Sequence, residues 1–154
     1  MILNKKDKIV KVWDNNNNLI LKDIEFLQMQ TQVVQFPLSE YIKDIIKNLV
    51  DAYNSIPCAG IAANQLGYKY SVFVGMEHDR EKDLDDNPSK NIDEVVPKSD
   101  NCEIYINPQI DKQDKKSTQY GEEGCLSIPG LSLMIERYDK IKVRYYNLDG
   151  QVIK

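Results

Sequence analysis

The sequence predicts a single α+β domain. One segment, residues 39–53, carries apolar side chains at helical spacing. Several other segments are short runs of β-branched and aromatic residues closed by Asn, Asp, Gly or Pro. The length of 154 residues fits one domain and is enough to bury one core.

Taken in order, residues 8–27 read as a β-hairpin. Ile9, Val10, Val12 and Trp13 are strand formers, Asp14 and four Asn residues make a turn, and Leu19-Ile20-Leu21 restarts the apolar run. Pro37-Leu38-Ser39 announces the helix. Ser39 is its N-cap and Glu40 sits at the positive end of its dipole. Ile42, Ile45, Ile46, Leu49, Val50 and Tyr53 form the core stripe, and Pro57 prevents continuation. Tyr70 to Val74 reads as a buried strand. Residues 77–100, with nine acids and four bases, lack periodicity and read as a solvated loop, with docking of a basic partner as the lesser reading. Ile104-Tyr105-Ile106 is a strand expected to stop at Asn107-Pro108. Two more strands are expected over residues 131–135 and 140–146. Asn147-Leu148-Asp149-Gly150 is a turn, and a last strand begins at Gln151. There is no internal repeat.

Composition narrows the function. Apolar residues make up 42% of the chain and charged residues 29%, an ordinary globular profile. A net charge of −4 gives no basic face for direct nucleic-acid binding. No apolar run is long enough to span a membrane, and residues 1–8 lack the apolar stretch of a secretory signal. Three widely spaced Cys, at 58, 102 and 125, do not suggest a disulfide framework. One His, His78, cannot by itself supply a site with two imidazole ligands, and it lies in the charged loop.

Two segments do not read as generic packing. In Cys58-Ala59-Gly60-Ile61-Ala62-Ala63-Asn64-Gln65, small residues would let another backbone approach, and Gln65 offers an amide donor beside it. A tight helix-to-strand turn explains the same residues. In Gly121-Glu122-Glu123-Gly124-Cys125-Leu126-Ser127-Ile128-Pro129-Gly130, a glycine-punctuated loop would hold the Cys125 thiolate as a metal ligand or nucleophile. An inert, buried Cys in a turn is the competing reading.

Together these segments resemble the peptide deformylases, whose motifs run Gly-x-Gly-x-Ala-Ala-x-Gln, Glu-Gly-Cys-Leu-Ser and His-Glu-x-x-Asp-His. Gly60, Ala62, Ala63 and Gln65 match the first motif, with Cys58 in place of its first Gly. Glu123, Gly124, Cys125, Leu126 and Ser127 match the second in full. The resemblance spans roughly residues 8–154, including an Ile-Asn-Pro strand end and a strand bearing Arg137. The third motif has no counterpart and would lie past Lys154. The expected fold is therefore deformylase-like: mixed and antiparallel sheets with an N-terminal helix. The central metal-binding helix is expected to be missing from this sequence, and residues 1–154 to form one C-terminally incomplete domain with an exposed apolar groove.

The resemblance implies hydrolysis of the N-formyl group from N-formylmethionyl nascent peptides. Fe²⁺ (or Zn²⁺ or Ni²⁺) would be held by Cys125 and two imidazoles, and its water would drop from a pKa of about 15.7 toward 7. Gln65 and the Leu126 N–H would stabilise the oxyanion. Gly60, Ile61, Glu123 and Gly124 would line the peptide site. The ribosome is the implied partner, and a bacterial cytoplasm or organelle matrix the implied location. Without the two His and the Glu, this chain is expected to bind metal weakly and to be inactive. The alternative is a non-catalytic, deformylase-like peptide- or partner-binding module. A thiol enzyme or redox sensor on Cys125 is a third reading, weakened because neither segment contains a His.

Overall fold

The computed structural model describes residues 8–76 and 102–154. The charged segment 77–100 and His78 therefore lie outside the described residues.

Two helices precede the sheets: α1, Leu21–Gln28, and α2, Glu40–Ser55. The strands are β1, Gly60–Ala62; β2, Val72–Met76; β3, Cys102–Gln113; β4, Thr118–Cys125; β5, Ile128–Tyr138; β6, Ile141–Tyr146; and β7, Val152–Ile153. They form a five-stranded sheet ordered β1-β2-β3-β6-β7 and a separate two-stranded hairpin, β4-β5. Every pairing between these strands is antiparallel. The isolated bridge between Gln32 and Tyr70 is parallel. The architecture is α+β, as expected.

Helix α2 forms for the expected reasons. Ser39 Oγ accepts the Ile42 N–H at 3.4 Å, and Glu40 lies in the first turn. Ile42, Ile45, Ile46, Leu49, Val50 and Ala52 are buried on one face. They pack with Ile61, Val72, Val74 and Ile106 as the main core. Alternation along β2 sends Val72 and Val74 to this face and Phe73 to the other, where Phe73 stacks on Tyr105 at 4.4 Å between ring centroids.

Three local expectations are corrected. The hairpin at residues 8–27 reduces to one bridge, Trp13 with Leu19, closed by the Asn turn. Asn17 adopts φ 62°, and the Asp14 carboxylate accepts the Asn16 and Asn18 N–H groups. Beyond it the chain is helical: Ile24 and Leu27 lie three apart on α1, so the apolar run restarted at Leu19 continues with helical spacing. Strand β3 does not stop at Asn107-Pro108. Its pairing with β6 shifts between Ile106 and Gln109, and Asn107 sits at φ 50°. A bulge tolerates a residue without an N–H. Asn107 then turns its side chain to Val34, accepting its N–H at 2.8 Å and donating to its carbonyl at 2.9 Å. Finally, residues 121–130 are not a loop. Strand β4 runs to Cys125 and β5 begins at Ile128, leaving a two-residue turn at Leu126 and Ser127.

Candidate active site

The site lies where the N-terminal edge of the five-stranded sheet meets the β4-β5 turn. Among the described residues, strand β1 pairs with β2 on one side only, Gly60 opposite Gly75. A Cβ on Gly60 would lie 3.1 Å from the Val74 carbonyl oxygen, so closeness to β2 favours glycine there. The Ile61 side chain is buried in the core, so a ligand at β1 would meet its backbone. A short 3₁₀ turn, Ala63–Leu66, follows and ends at Gly67 with φ 80°. Ala63 and Leu66 anchor the turn in the core, which leaves Gln65 directed away from it.

Gln65 Oε1 accepts the Ala62 N–H at 2.9 Å, the return half of a capping box. That bond ties down the oxygen end of the amide. Its Nε2 lies 3.7 Å from Cys125 Sγ and 3.3 Å from Ser127 Oγ. Gln65 and Cys125 therefore meet although they belong to separate segments. Cys125 is exposed at the end of β4. The pairing jumps there, from Gly124 opposite Ser132 to Cys125 opposite Ile128, and this irregularity frees the thiol from the regular hairpin face. Leu126, in the turn, packs partly against the core.

Glu123 points to Arg137 across the hairpin. The guanidinium makes a two-pronged contact, Nε to Oε1 at 2.8 Å and Nη2 to Oε2 at 2.7 Å. The Arg137 hydrogen bonds and charge hold the Glu123 carboxyl below its usual range, and Glu123 in turn raises Arg137. Gly124 approaches the Leu131 carbonyl oxygen, to which a Cβ would lie 3.6 Å. Elsewhere on the same hairpin, Tyr120, Leu131, Leu133 and Met134 are exposed. Cys58 is half-buried before β1, and burial pushes its thiol up.

Sequence reasoning missed two parts of this site. Ser127 is only 3% exposed, and its hydroxyl meets Gln65. Val10 and Val12 in the N-terminal segment donate their N–H groups to the carbonyls of Gln65 and Ser127, at 2.8 and 2.9 Å. The signals in the sequence were the place of Ser127 in the second motif, which assigned no role to its hydroxyl, and the strand-forming run from Ile9 to Trp13, which marks an extended segment but not its neighbours. Among the described residues no three His, Cys, Asp or Glu side chains converge as a metal site. Cys125 is a single donor, and a catalytic zinc-type site needs about three protein ligands. The described residues alone do not fit a bound catalytic metal.

The α+β scaffold thus brings together a thiol, an amide nitrogen and a small-residue sheet edge. Residues 17–154 match the family model of polypeptide deformylase, and the chain belongs to that family. It is similar to a peptide deformylase of Aquifex aeolicus, with 29% identity over 89% of this chain and 70% of the relative. It is also similar to peptide deformylase 1 of Bacillus cereus, at 34% identity over 84% of this chain and 73% of the relative. The fold matches a peptide deformylase structure from Plasmodium falciparum with TM-score 0.68 and 23% identity, covering 95% of this chain and 69% of that one. It also matches a class I type b deformylase structure from Acinetobacter baumannii with TM-score 0.65 and 20% identity, covering 94% and 80%. No helix among the described residues is long and apolar enough to cross a membrane.

Proposed function

We propose that this chain carries the thiol-and-amide half of a peptide deformylase site. The reaction would remove the N-formyl group from N-formylmethionyl nascent peptides at the ribosome, in a bacterial cytoplasm or an organelle matrix. Water would add to the formyl carbon and the C–N bond would break, giving formate and a free amine. The observation that carries this reading is the 3.7 Å approach of Gln65 Nε2 to Cys125 Sγ.

Each residue then has a task. Gln65 Nε2 and the Leu126 N–H would donate to the formyl oxygen as negative charge develops there. The open edge of β1 at Gly60 and Ile61 would pair with the extended peptide, and the backbone of Glu123 and Gly124 would flank it. The Glu123–Arg137 contact would hold that stretch of β4 in place. Family membership implies a metal cofactor, Fe²⁺ or else Zn²⁺ or Ni²⁺, with Cys125 as one ligand. The sequence contains one His, so the two imidazoles this reading needs are not both available within it. We therefore propose that residues 1–154, tested by themselves, bind divalent metal weakly and turn over formyl-peptide at background.

The single thiol donor also favours a second reading, a module that binds peptides through β1 without chemistry. One experiment addresses both. A formyl-Met tripeptide and its unformylated counterpart are titrated into the purified chain with added Fe²⁺, Ni²⁺ or Zn²⁺, while metal content and amine release are measured. Preference for the formylated peptide, lost in Gln65→Ala, supports the deformylase site. Equal binding of both peptides overturns it in favour of the module. One tightly held ion per chain, together with turnover, overturns the weak-metal proposal.

A further inference from the structure

The Gln65 amide is held at both ends, and only one end belongs to its own segment. Oε1 takes the Ala62 N–H at 2.9 Å. At the other end, Nε2 is 3.3 Å from the hydroxyl of Ser127, a residue only 3% exposed. Ser127 is itself tied down, since its carbonyl accepts the Val12 N–H at 2.9 Å. Two residues earlier, the Val10 N–H donates to the Gln65 carbonyl at 2.8 Å. Alternate N–H groups of an extended segment point the same way, so one short strand can bond two separate loops at once. The N-terminal segment therefore straps the 3₁₀ turn to the β4-β5 turn.

We propose that Ser127 is a positioning residue for Gln65. A primary amide has two N–H donors and no intrinsic preferred direction, and Gln is among the side chains with the largest rotamer freedom. Ser127 Oγ accepts one N–H, and the strap holds the Ser127 backbone through its carbonyl. The second N–H is then directed over Cys125 Sγ, where an oxygen of a bound ligand would lie. This inference rests on the deformylase reading for the identity of that ligand. The positioning itself does not depend on it.

The test uses the full chain labelled with ¹⁵N, with the Gln65 side-chain amide signal assigned by its loss in Gln65→Glu. In the wild-type chain the two amide protons should resonate apart from the free-glutamine region and show a nuclear Overhauser effect to the Ser127 β protons. In Ser127→Ala they should fall into the free-glutamine region, while backbone signals of α2 and β2 keep their positions. A Gln65 signal unchanged in Ser127→Ala overturns the proposal. So does a wild-type Gln65 amide already in the free region, which settles the matter even if the variant does not fold. In a parallel titration, Ser127→Ala should weaken the preference for formylated over unformylated peptide by about tenfold, the scale of one lost hydrogen bond. A wild-type chain with no such preference defeats the deformylase reading alone, and the amide signal still decides the role of Ser127.

Discussion

Gln65 and Cys125 stand 60 positions apart in the chain, yet the amide nitrogen of one lies 3.7 Å from the sulfur of the other. Nothing local produces that approach. It depends on β1 being placed by β2, on the irregular end of the hairpin, and on the strap from Val10 and Val12.

Replacing Gln65 by Ala removes the acceptor of the Ala62 N–H in a partly buried setting. The expected cost is about 1–3 kcal/mol, the penalty for a stranded donor. A urea titration followed by circular dichroism measures it. A shift well below that range would mean that water replaces the side chain.

The core depends on α2. Leu49 is fully buried within the cluster that joins α2 to β1 and β2. Leu49→Ala should cost about 2–5 kcal/mol through lost transfer energy and a residual cavity. The midpoint of denaturant unfolding reports the loss, and the Gln65 contacts should loosen with it, because β1 is seated on α2.

Two glycines separate crowding from openness. Gly60→Ala puts a methyl 3.1 Å from a backbone oxygen that cannot move away cheaply, whereas Gly121→Ala meets nothing within 4 Å. The first should destabilise by about 1–3 kcal/mol. The second should be neutral, or stabilising by about 0.4–1 kcal/mol as the unfolded chain loses freedom. Parallel thermal melts of the two variants compare them directly.

The Glu123–Arg137 contact predicts an acid limb of definite sign. The folded state holds the Glu123 carboxyl below its ordinary range. Its contribution is therefore complete above the unfolded-state value near pH 4.5 and is lost as pH falls through the lower folded value. Glu123→Gln should remove that part of the acid dependence. The Glu123 carboxyl carbon shift, followed by NMR, should titrate below the ordinary glutamate range, with the displacement shrinking in high salt.

The cysteines should differ in alkylation. Cys125 is exposed, whereas Cys58 is half-buried and its thiol is pushed up by burial. Iodoacetamide at pH 8 should label the peptide containing Cys125 well before that containing Cys58, as read by mass spectrometry of digests. Equal rates would mean that the region before β1 opens readily.

Helix α2 could be read in advance because its signals are local. The Ser39 cap, the Ile42 to Val50 spacing and the stop near Pro57 all act within a few turns of the chain. The Asn-rich turn and the Gly150 turn were readable for the same reason, since each depends on a residue's own tolerance of positive φ. Helix α1 was not, because Leu19-Ile20-Leu21 suits a strand equally well and only the spacing of Ile24 and Leu27 separates the two. The continuation of β3 through Pro108 was hidden as well. It requires Val34, far away in sequence, to bond the Asn107 side chain. The two motifs carrying Gln65 and Cys125 were visible as residue patterns, and their likeness to a family supplied their expected roles. Their meeting, the buried hydroxyl of Ser127 beside them and the strap across both arise from strand pairing and from bonds between distant segments. Such bonds leave no periodicity in the chain, because a backbone N–H or carbonyl is present at nearly every residue and only folding selects its partner.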